Sequence, residues 1–281
     1  VTTSWSYDFR AKAEVAGKKG AKAMFIIDPK FKRTVGMMKS VIGRQKFEVP
    51  GLENSDAGIP IFYLTRAQAD VILKAGGYKK STHWLEKKIQ KKKKPISVIA
   101  KVRVEINVDR KIESLTSENV IGVIEGTDKK DELLILSAHY DHLGIRGDDI
   151  FNGADDDGSG TVTLLQLAEA FAVAKKNGNG PRRSIMFLSV SGEEKGLFGS
   201  AWYADNPTLS LSSTIANLNI DMIGRTDLDH KEDSNYVYVI GSDKLSSELH
   251  EINEKANTDF TQLKLDYRYN DENDPNRFYY R

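Results

Sequence analysis

The sequence predicts an α/β fold in which a mixed sheet is flanked by helices, together with a smaller α/β domain. Two observations support this prediction. Short apolar segments with the composition of buried strands alternate with segments whose apolar residues recur at helical spacing. The chain has 281 residues, of which 40% are hydrophobic and 29% are charged, as is typical of a globular protein with one large domain or two ordinary ones.

The composition excludes several classes of protein and site. Lys and Arg number 41 against 40 Asp and Glu, which leaves a formal net charge of +1. This balance argues against bulk electrostatic binding of nucleic acid, which needs many unopposed cations. The chain has no cysteine, so disulfide scaffolds, thiolate zinc sites and cysteine nucleophiles are excluded. No apolar run approaches the ~20 residues of a membrane-spanning helix, and the oligomeric state stays open.

Residues 1–95 are predicted to form the smaller α/β domain. Gly20 and Pro29 are residue types that end regular elements, and Thr65 is the residue type of a helix N-cap. The polar stretch 31–58 is expected to be a long loop or loose strands. The predicted elements are a helix at 11–17, strands at 23–29 and 59–64, and a helix at 66–74.

A lysine-rich stretch at 86–95 marks the predicted domain boundary. Six of its ten residues are Lys, and it ends in Pro95, a residue that stops helices. A basic run can bind phosphate or anionic lipid, but acidic residues elsewhere balance this one, so we favour a solvated linker. The second domain is therefore predicted to span 96–281.

The second domain is predicted to alternate strands with helices. Apolar residues occur at every second position over 98–108, which is the period of a half-buried strand. The stretch 184–190 is almost continuously apolar, as in a strand buried on both faces. Further strands are predicted at 120–126, 133–137 and 215–222, and helices at 159–175 and 197–205.

Acidic residues and histidine accompany the ends of the predicted buried strands, the edge where open α/β sheets bind ligands. Each segment alone has an ordinary explanation. An Asp triplet can cap a helix, a Glu pair in a loop is usually solvated, and a lone histidine after a strand is often a hydrogen-bonded core residue. The four segments are His139-Tyr140-Asp141-His142, Asp155-Asp156-Asp157-Gly158-Ser159-Gly160, Gly192-Glu193-Glu194 and Asn219-Ile220-Asp221-Met222.

Together the four segments favour a metal site. Asp221 is predicted to lie inside an apolar strand, and Glu193 and Glu194 follow another, where carboxylates are costly to desolvate without a counter-charge. No basic residue is obviously placed to pair with all of them. One or two divalent cations would supply that charge, and a histidine with several carboxylates is a ligand set suited to Zn²⁺.

The same segments carry a family resemblance. They resemble the zinc aminopeptidases of metallopeptidase clan MH, family twenty-eight, a group that includes secreted bacterial leucyl aminopeptidases and glutamate carboxypeptidase II. Residues 1–95 resemble, more loosely, the protease-associated domain that many of these enzymes carry. The resemblance implies a phosphorylase/hydrolase-like zinc exopeptidase fold, a peptide substrate and an exported location, periplasmic or extracellular. The motifs that carry it are Ser137-Ala138-His139-Tyr140-Asp141-His142-Leu143-Gly144, the stretches 152–160 and 191–200, and Asn219-Ile220-Asp221-Met222-Ile223-Gly224.

The resemblance also implies a role for each site residue in a centre with two Zn²⁺ ions. Asp156 would bridge both ions, because the family's bridging Asp stands two residues before the small-Ser-Gly end of its motif. Glu193 would be the general base that moves a proton from the attacking water to the leaving amine. Asp141 would orient a metal-bound histidine through its other ring nitrogen. The implied ligands are His139 and Asp221 for one zinc, Glu194 for the other, and Asp156 for both.

The chain departs from the family pattern at one ligand. The second zinc of the family also takes a histidine from a Ser-Asp-His segment near the C-terminus, and no such segment precedes Arg281. We predict that His250 lies on a helix surface and that His230 lies in a solvated loop, and we give His142 no role. The chain is therefore expected to be an internal fragment of a longer peptidase, with its fifth ligand beyond Arg281, that binds one zinc tightly and the second weakly.

The sequence thus predicts a zinc-dependent exopeptidase, and within that class an aminopeptidase that hydrolyses N-terminal peptide bonds with a metal-activated water. Two alternatives stay open. One is a non-catalytic binding or receptor-like protein on the same fold. The other is a different metal-dependent amide chemistry, such as carboxypeptidase or glutaminyl cyclase action.

Overall fold

The structure is a computed structural model that describes residues 9–28, 30–42, 47, 49–50, 59–107, 113–271, 273 and 278. The chain divides into two compact units, Val1–Ser114 and Leu115–Arg281. The assignment of 1–95 and 96–281 as domains stays a prediction. Within the described ranges, no helix has both the length and the apolar composition needed to cross a membrane.

The first unit is built around a parallel pair of short strands, in which Met24 lies opposite Ile61. Thr65 begins the helix after the second strand with a capping box, because the Thr65 hydroxyl accepts from the Gln68 N–H and the Gln68 side chain accepts from the Thr65 N–H. These elements confirm the predicted helices at 11–17 and 66–74 and the predicted strands at 23–29 and 59–64. The unit contains α1 (Phe9–Lys18), β1 (Met24–Ile27), α2 (Phe31–Ile42), β2 (Ile61–Leu64), α3 (Arg66–Ala75) and α4 (Thr82–Lys92).

Two predictions for this unit are wrong. The loop or loose strands predicted at 31–58 begin instead with α2, because Phe31, Val35 and Met38 recur at helical spacing and a single glycine is tolerated inside a helix at a cost of about 1 kcal/mol. Most of 43–58 lies outside the described residues. The lysine-rich linker predicted at 86–95 is helical as far as Lys92, since Lys is a good helix former.

The half-buried strand predicted at 98–108 is also absent from the described residues of that segment, 98–107. Burial does alternate there, with Val98, Ala100 and Val102 partly buried and the residues between them exposed. The backbone pairs with no strand, however, and Lys101 donates its N–H to the carbonyl of Gly76. Alternating burial in this segment therefore does not indicate a strand in a sheet.

The second unit is organised by a four-stranded mixed sheet of order β3-β7-β4-β8. Strand β7 is antiparallel to β3 and parallel to β4, and β4 is parallel to β8. A short antiparallel hairpin and a parallel pair of short strands lie outside this sheet. The strands are β3 (Val120–Ile124), β4 (Lys129–His139), β5 (Gly144–Arg146), β6 (Asp149–Phe151), β7 (Arg183–Val190), β8 (Thr214–Asn219), β9 (Tyr236–Tyr238) and β10 (Lys264–Asp266), and the helices are α5 (Gly158–Lys176), α6 (Phe198–Asp205) and α7 (Ser247–Ala256).

Both faces of the sheet are packed, which confirms the predicted fold class. On one face, side chains of β4 and β7 pack with Leu164, Leu167 and Phe171 of α5. On the other face they form a cluster that includes Tyr203 of α6 and Met186, which is fully buried. The continuously apolar stretch at 184–190 is buried on both faces because β7 lies inside the sheet.

The last strand of the sheet ends earlier than predicted. The sequence predicts a strand at 215–222 with Asp221 inside it, but β8 ends at Asn219 and Asp221 follows in a loop. Because β8 lies at the edge of this sheet, Asp221 stays partly exposed, with its side chain 40% accessible. The parallel strands β7, β4 and β8 thus all end at the same edge, where the candidate site lies.

Candidate metal centre

The first group of possible metal ligands joins the end of β4 to the start of α5 and the end of β8. His139 Nε2 lies 3.2 Å from Asp156 Oδ1 and 3.9 Å from Asp221 Oδ1. The His139 side chain is only 3% exposed. One ligand atom from each residue lies within 4.8 Å of the others, which is close enough to contact a common ion. The structure therefore brings together three of the four residues predicted to bind metal.

A second group shares Asp156 and adds Glu194 and His142. His142 Nδ1 lies 2.8 Å from Glu194 Oε1 and 4.0 Å from Asp156 Oδ1. One ligand atom from each of these three residues again lies within 4.8 Å of the others. Asp156 is thus the member common to both groups, although its bridging role stays a prediction. The sequence interpretation gave His142 no role. Its position three residues after His139, in the loop that follows β4, is the signal that could have pointed to it.

Glu193 lies beside the first ligand group but is not a member of either ligand group. Its Oε2 is 4.0 Å from His139 Nε2. Burial raises the pKa of Glu193, and the carboxylates of Asp221, Glu194 and Asp156 raise it further against the opposing charge of His139. A carboxylate with a raised pKa near the reacting centre is suited to accept a proton and release it again.

Asp141 holds two parts of the site together. Its main-chain carbonyl lies 3.0 Å from His139 Nδ1, whereas its carboxylate lies 3.7 Å from that nitrogen. The carboxylate instead accepts the N–H groups of Glu193 and Glu194 at 3.0 and 3.3 Å. Burial opposes its charge, but the imidazole and these two N–H groups lower the pKa of Asp141. Gly192 allows the turn before the two glutamates, since its φ of 73° is unfavourable for other residues.

Asp157 fixes the backbone around the first group. It is 2% exposed, and its Oδ2 accepts the His139 N–H at 3.1 Å. Its Oδ1 accepts the N–H groups of Gly160 and Met222 at 2.9 and 3.3 Å. Burial and the charge of Asp221 raise the pKa of Asp157 to about 6. This one carboxylate therefore ties the end of β4 to the start of α5 and to the loop that carries Asp221.

Asp155 and Ser159 anchor the same loop from a second side. Asp155 Oδ1 accepts the Gly224 N–H at 2.8 Å, and its Oδ2 pairs with Arg225 Nε at 3.3 Å. The Ser159 hydroxyl accepts the Ile223 N–H at 3.0 Å. The three aspartates therefore have different roles. Asp155 and Asp157 accept hydrogen bonds from backbone N–H groups, whereas Asp156 faces both ligand groups.

We predict that Asp157→Ala lowers the free energy of unfolding by about 2–4 kcal/mol, since it removes the helix cap of α5 and leaves buried N–H groups without an acceptor. Urea unfolding of the metal-free protein measures this change. Asp205→Ala, at an exposed position, is the matched control and should stay within about 0.5 kcal/mol of the parent. A loss below about 1 kcal/mol for Asp157→Ala would contradict the structural role.

The charge balance of the first group favours a cation. Burial lowers the pKa of His139, but the interaction of its ring N–H with the Asp141 carboxylate and the charges of Asp221, Asp157 and Glu193 outweigh it and raise the pKa to about 9. In the absence of metal, a proton on His139 thus offsets part of the negative charge. A metal ion that binds to His139 must displace that proton.

Three buried polar atoms at the site are placed to bind a metal ion and make no hydrogen bonds among the described residues. His139 Nε2, His142 Nδ1 and Glu194 Oε1 are buried, and none has a hydrogen-bond partner among the described residues. They lie near the carboxylates named above, but not in hydrogen-bonding orientations. Buried polar atoms are normally paired, and imidazole with carboxylate is a ligand set that Zn²⁺ accepts. The residues present therefore fit a divalent cation.

Two other histidines lie away from both groups. His250 is on α7, as predicted, and its Nδ1 lies 2.9 Å from the Ser242 hydroxyl. The prediction that His230 is solvated is wrong, since it is only 4% exposed and stacks on Tyr236 with ring centroids 3.6 Å apart. The charged residues around His230 predicted a solvated loop. The structure buries the ring instead, and its Nδ1 pairs locally with Asp227.

The chain is similar in sequence to several known proteins. The chain is 39% identical over 105 residues to the probable glutamate carboxypeptidase LAMP1 of Arabidopsis thaliana, which covers 37% of this chain and 14% of the relative. It is 35% identical over 121 residues to the aminopeptidase NAALADL1 of Mus musculus, covering 42% of this chain and 15% of that protein. A probable zinc metalloprotease of Pyricularia oryzae is 32% identical over 136 residues, which are 43% of this chain and 26% of the relative. The matched region thus spans a quarter or less of most of these relatives.

Among solved structures, an aminopeptidase from Aneurinibacillus sp. strain AM-1 aligns over 93% of this chain and 53% of its own, with 20% identity and a TM-score of 0.48. The family model described as Peptidase family M28 matches residues 119–277. This match covers more than half of the 281 residues and contains every candidate site residue from His139 to Asp221. The chain therefore belongs to peptidase family M28.

Proposed function

We propose that the protein containing this chain is a zinc-dependent exopeptidase that acts as an aminopeptidase. The observation that carries the proposal is the arrangement of two ligand groups that share Asp156, with Glu193 beside them and in neither. This is the arrangement that hydrolysis by two metal ions requires, because the base must adjoin the ligands without being one. That the first domain is protease-associated and that the protein is exported stay predictions.

Each residue of the site has a separate role in the proposed reaction. Bound zinc ions supply Lewis acidity, which lowers the pKa of a water molecule and polarises a carbonyl group. Glu193 accepts the proton of the attacking water and passes it to the amine that leaves. Asp141 sets the position of Glu193 because its carboxylate accepts the Glu193 main-chain N–H. Its main-chain carbonyl fixes the ring orientation of His139 through Nδ1. Asp157 and Asp155 keep the loop of Asp221 against the start of α5.

A carboxypeptidase is the second candidate, since one of the relatives has that name. An enzyme that grips a free C-terminal carboxylate needs an available cation, and Arg is the usual choice. Arg225, which follows Asp221 closely in the chain, is paired with Asp155. Arg225 is therefore already engaged, and we rank the carboxypeptidase second.

Substrates with and without a free amino group test the proposal. The natural full-length protein should hydrolyse leucine p-nitroanilide, lose this activity on chelation and regain it with Zn²⁺, and leave N-acetyl-leucine p-nitroanilide intact. Cleavage only of an N-blocked peptide that ends in free glutamate would favour the carboxypeptidase. Stoichiometric zinc with no hydrolysis of any of these substrates would favour the non-catalytic binding protein.

A further inference from the structure

We propose that the protein docks on an anionic lipid surface through helix α4 of its first unit. This inference goes beyond the proposed function and does not depend on it, because neither zinc nor catalysis takes part. It replaces the expectation that the lysine-rich stretch at 86–95 is a solvated linker. The charge of each unit, the orientation of α4 and the surroundings of Trp84 carry the proposal.

The net charge of +1 is the sum of two large opposite charges. Val1–Ser114 contains 25 Lys and Arg against 11 Asp and Glu, which gives a formal charge of +14. Leu115–Arg281 contains 16 Lys and Arg against 29 Asp and Glu, which gives a formal charge of −13. The acidic residues that balance the lysines in the chain as a whole therefore belong mostly to the other unit. A unit with so large a positive charge attracts anionic surfaces.

The positive charge is densest on α4 and the residues next to it. Residues 79–94 contain eight Lys, no Arg and a single acid, Glu86, which pairs with Arg66 of α3 at 2.6 Å. Seven of the eight lysines are exposed. None of the eight forms an ion pair with another residue that the structure describes. These lysines are thus available to an outside partner.

Helix α4 packs with one side and carries lysines on the other. Thr82 is buried, and its main-chain N–H donates to the Asp70 carboxylate of α3 at 2.6 Å. Glu86 lies on the same side, four residues later. The opposite side, here called the lysine face, carries residues three or four positions apart: Trp84, Lys87, Lys88 and Lys91. The packing of the first unit therefore fixes α4 and presents the lysine face to solvent.

The surroundings of Trp84 favour a lipid surface over a nucleic acid. Lys88 Nζ lies 4.3 Å and Lys80 Nζ 5.6 Å from the centroid of the Trp84 ring, where they compete with any base that would stack on it. Tryptophan is enriched where lipid head groups meet water. Arginine, which binds single phosphates and base edges with two hydrogen bonds, is absent from 79–94. Lysine acts as a hydrated point charge, which an anionic membrane attracts without specific contacts.

Co-sedimentation of the 281-residue chain with lipid vesicles tests the proposal. The chain should sediment with vesicles of phosphatidylglycerol and phosphatidylcholine, and it should stay in solution with vesicles of phosphatidylcholine alone. Added salt should release the bound chain, because salt screens the attraction between exposed charges. Single-stranded DNA of random sequence, titrated in the same buffer, measures the competing affinity for a nucleic acid.

A triple variant of the lysine face should lose most of the binding. Lys87→Gln/Lys88→Gln/Lys91→Gln removes three charges, and it preserves the helix because Gln is a good helix former. The lipid partition coefficient should fall about 100-fold, or about fivefold for each lysine. Thermal unfolding that agrees with the parent within a few degrees would show that the fold is kept.

A matched triple variant separates the lysine face from the total charge of the unit. Lys19→Gln/Lys22→Gln/Lys32→Gln removes the same charge from exposed positions of the first unit outside α4. Because screening weakens charges that do not approach the lipid, the partition coefficient should fall less than about fivefold.

Fluorescence shows whether Trp84 reaches the lipid. Vesicles that contain phosphatidylglycerol with brominated acyl chains should quench part of the tryptophan emission of the parent chain. Trp84→Phe keeps an aromatic side chain at this position and should abolish that quenching, since only Trp5 and Trp202 then emit.

Each result supports or overturns the proposal. Salt-sensitive binding to the anionic vesicles that only the α4 triple variant loses, together with quenching that requires Trp84, would establish the lysine face as the docking surface. No binding to these vesicles, equal binding to phosphatidylcholine alone, or equal losses in the two triple variants would overturn it. Tighter binding to DNA than to vesicles, lost in the α4 triple variant, would assign the face to a nucleic acid and overturn the lipid proposal.

Discussion

Glu193→Gln is expected to lower the turnover of the natural full-length protein by about two to four orders of magnitude, the range for loss of a general base. The glutamine side chain has nearly the same shape but cannot accept the proton of the attacking water. Zinc content should stay unchanged, because Glu193 lies 4.0 Å from His139 and belongs to neither ligand group. The hydrogen bond from its main-chain N–H to Asp141 does not depend on the side chain.

Steady-state kinetics and zinc analysis on the same preparation measure both parts of this expectation. Glu251→Gln makes the same chemical change at an exposed position of α7 and should leave turnover unchanged. Near-normal turnover of Glu193→Gln with stoichiometric zinc would show that another group is the base. Loss of zinc from this variant would instead make Glu193 a ligand.

In the natural full-length protein, Asp156→Ala is expected to abolish tight binding of both zinc ions. Asp156 is the member common to the two groups, so its removal leaves His139 with Asp221 in one and His142 with Glu194 in the other. Two protein ligands hold zinc far more weakly than three. Glu194→Ala should lose only the second ion, and Asp221→Ala only the first.

Metal analysis after dialysis against a weak chelator distinguishes these patterns. Asp157→Ala serves as the neighbouring comparison, because Asp157 binds three backbone N–H groups and lies in neither ligand group. It should lose less zinc than Asp156→Ala even though it unfolds more easily. The reverse order would place the bridging residue one position later in the triplet.

The sequence predicted those elements whose burial follows from their own composition. The apolar stretch at 184–190 has the composition of a strand buried on both faces, and the cap at Thr65 has a local hydrogen-bond pattern that residue types reveal. The collection of acidic segments at one edge followed from parallel strands, whose ends must coincide. These inferences needed no knowledge of distant contacts.

Other features depend on partners far along the chain and could not be predicted. Periodicity over 98–107 indicates one buried side, but only a neighbouring strand would make a sheet. The carboxylate of Asp141 has two N–H partners beyond position 190, so its main role was invisible to motif reading. His142 lies near Glu194 only because β4 and β7 are neighbours, and His230 is buried by rings from a later strand.

The parallel arrangement of β7, β4 and β8 also has a kinetic consequence. Parallel strands cannot pair until the crossover between them has formed, and such non-local pairing is slow. The first ligand group needs β8 in place and the second needs β7, so neither can close on a partly folded chain. We therefore expect a refolding chain to take up zinc only in its last phase. Zinc would then report completed folding and could not act as a nucleus for it.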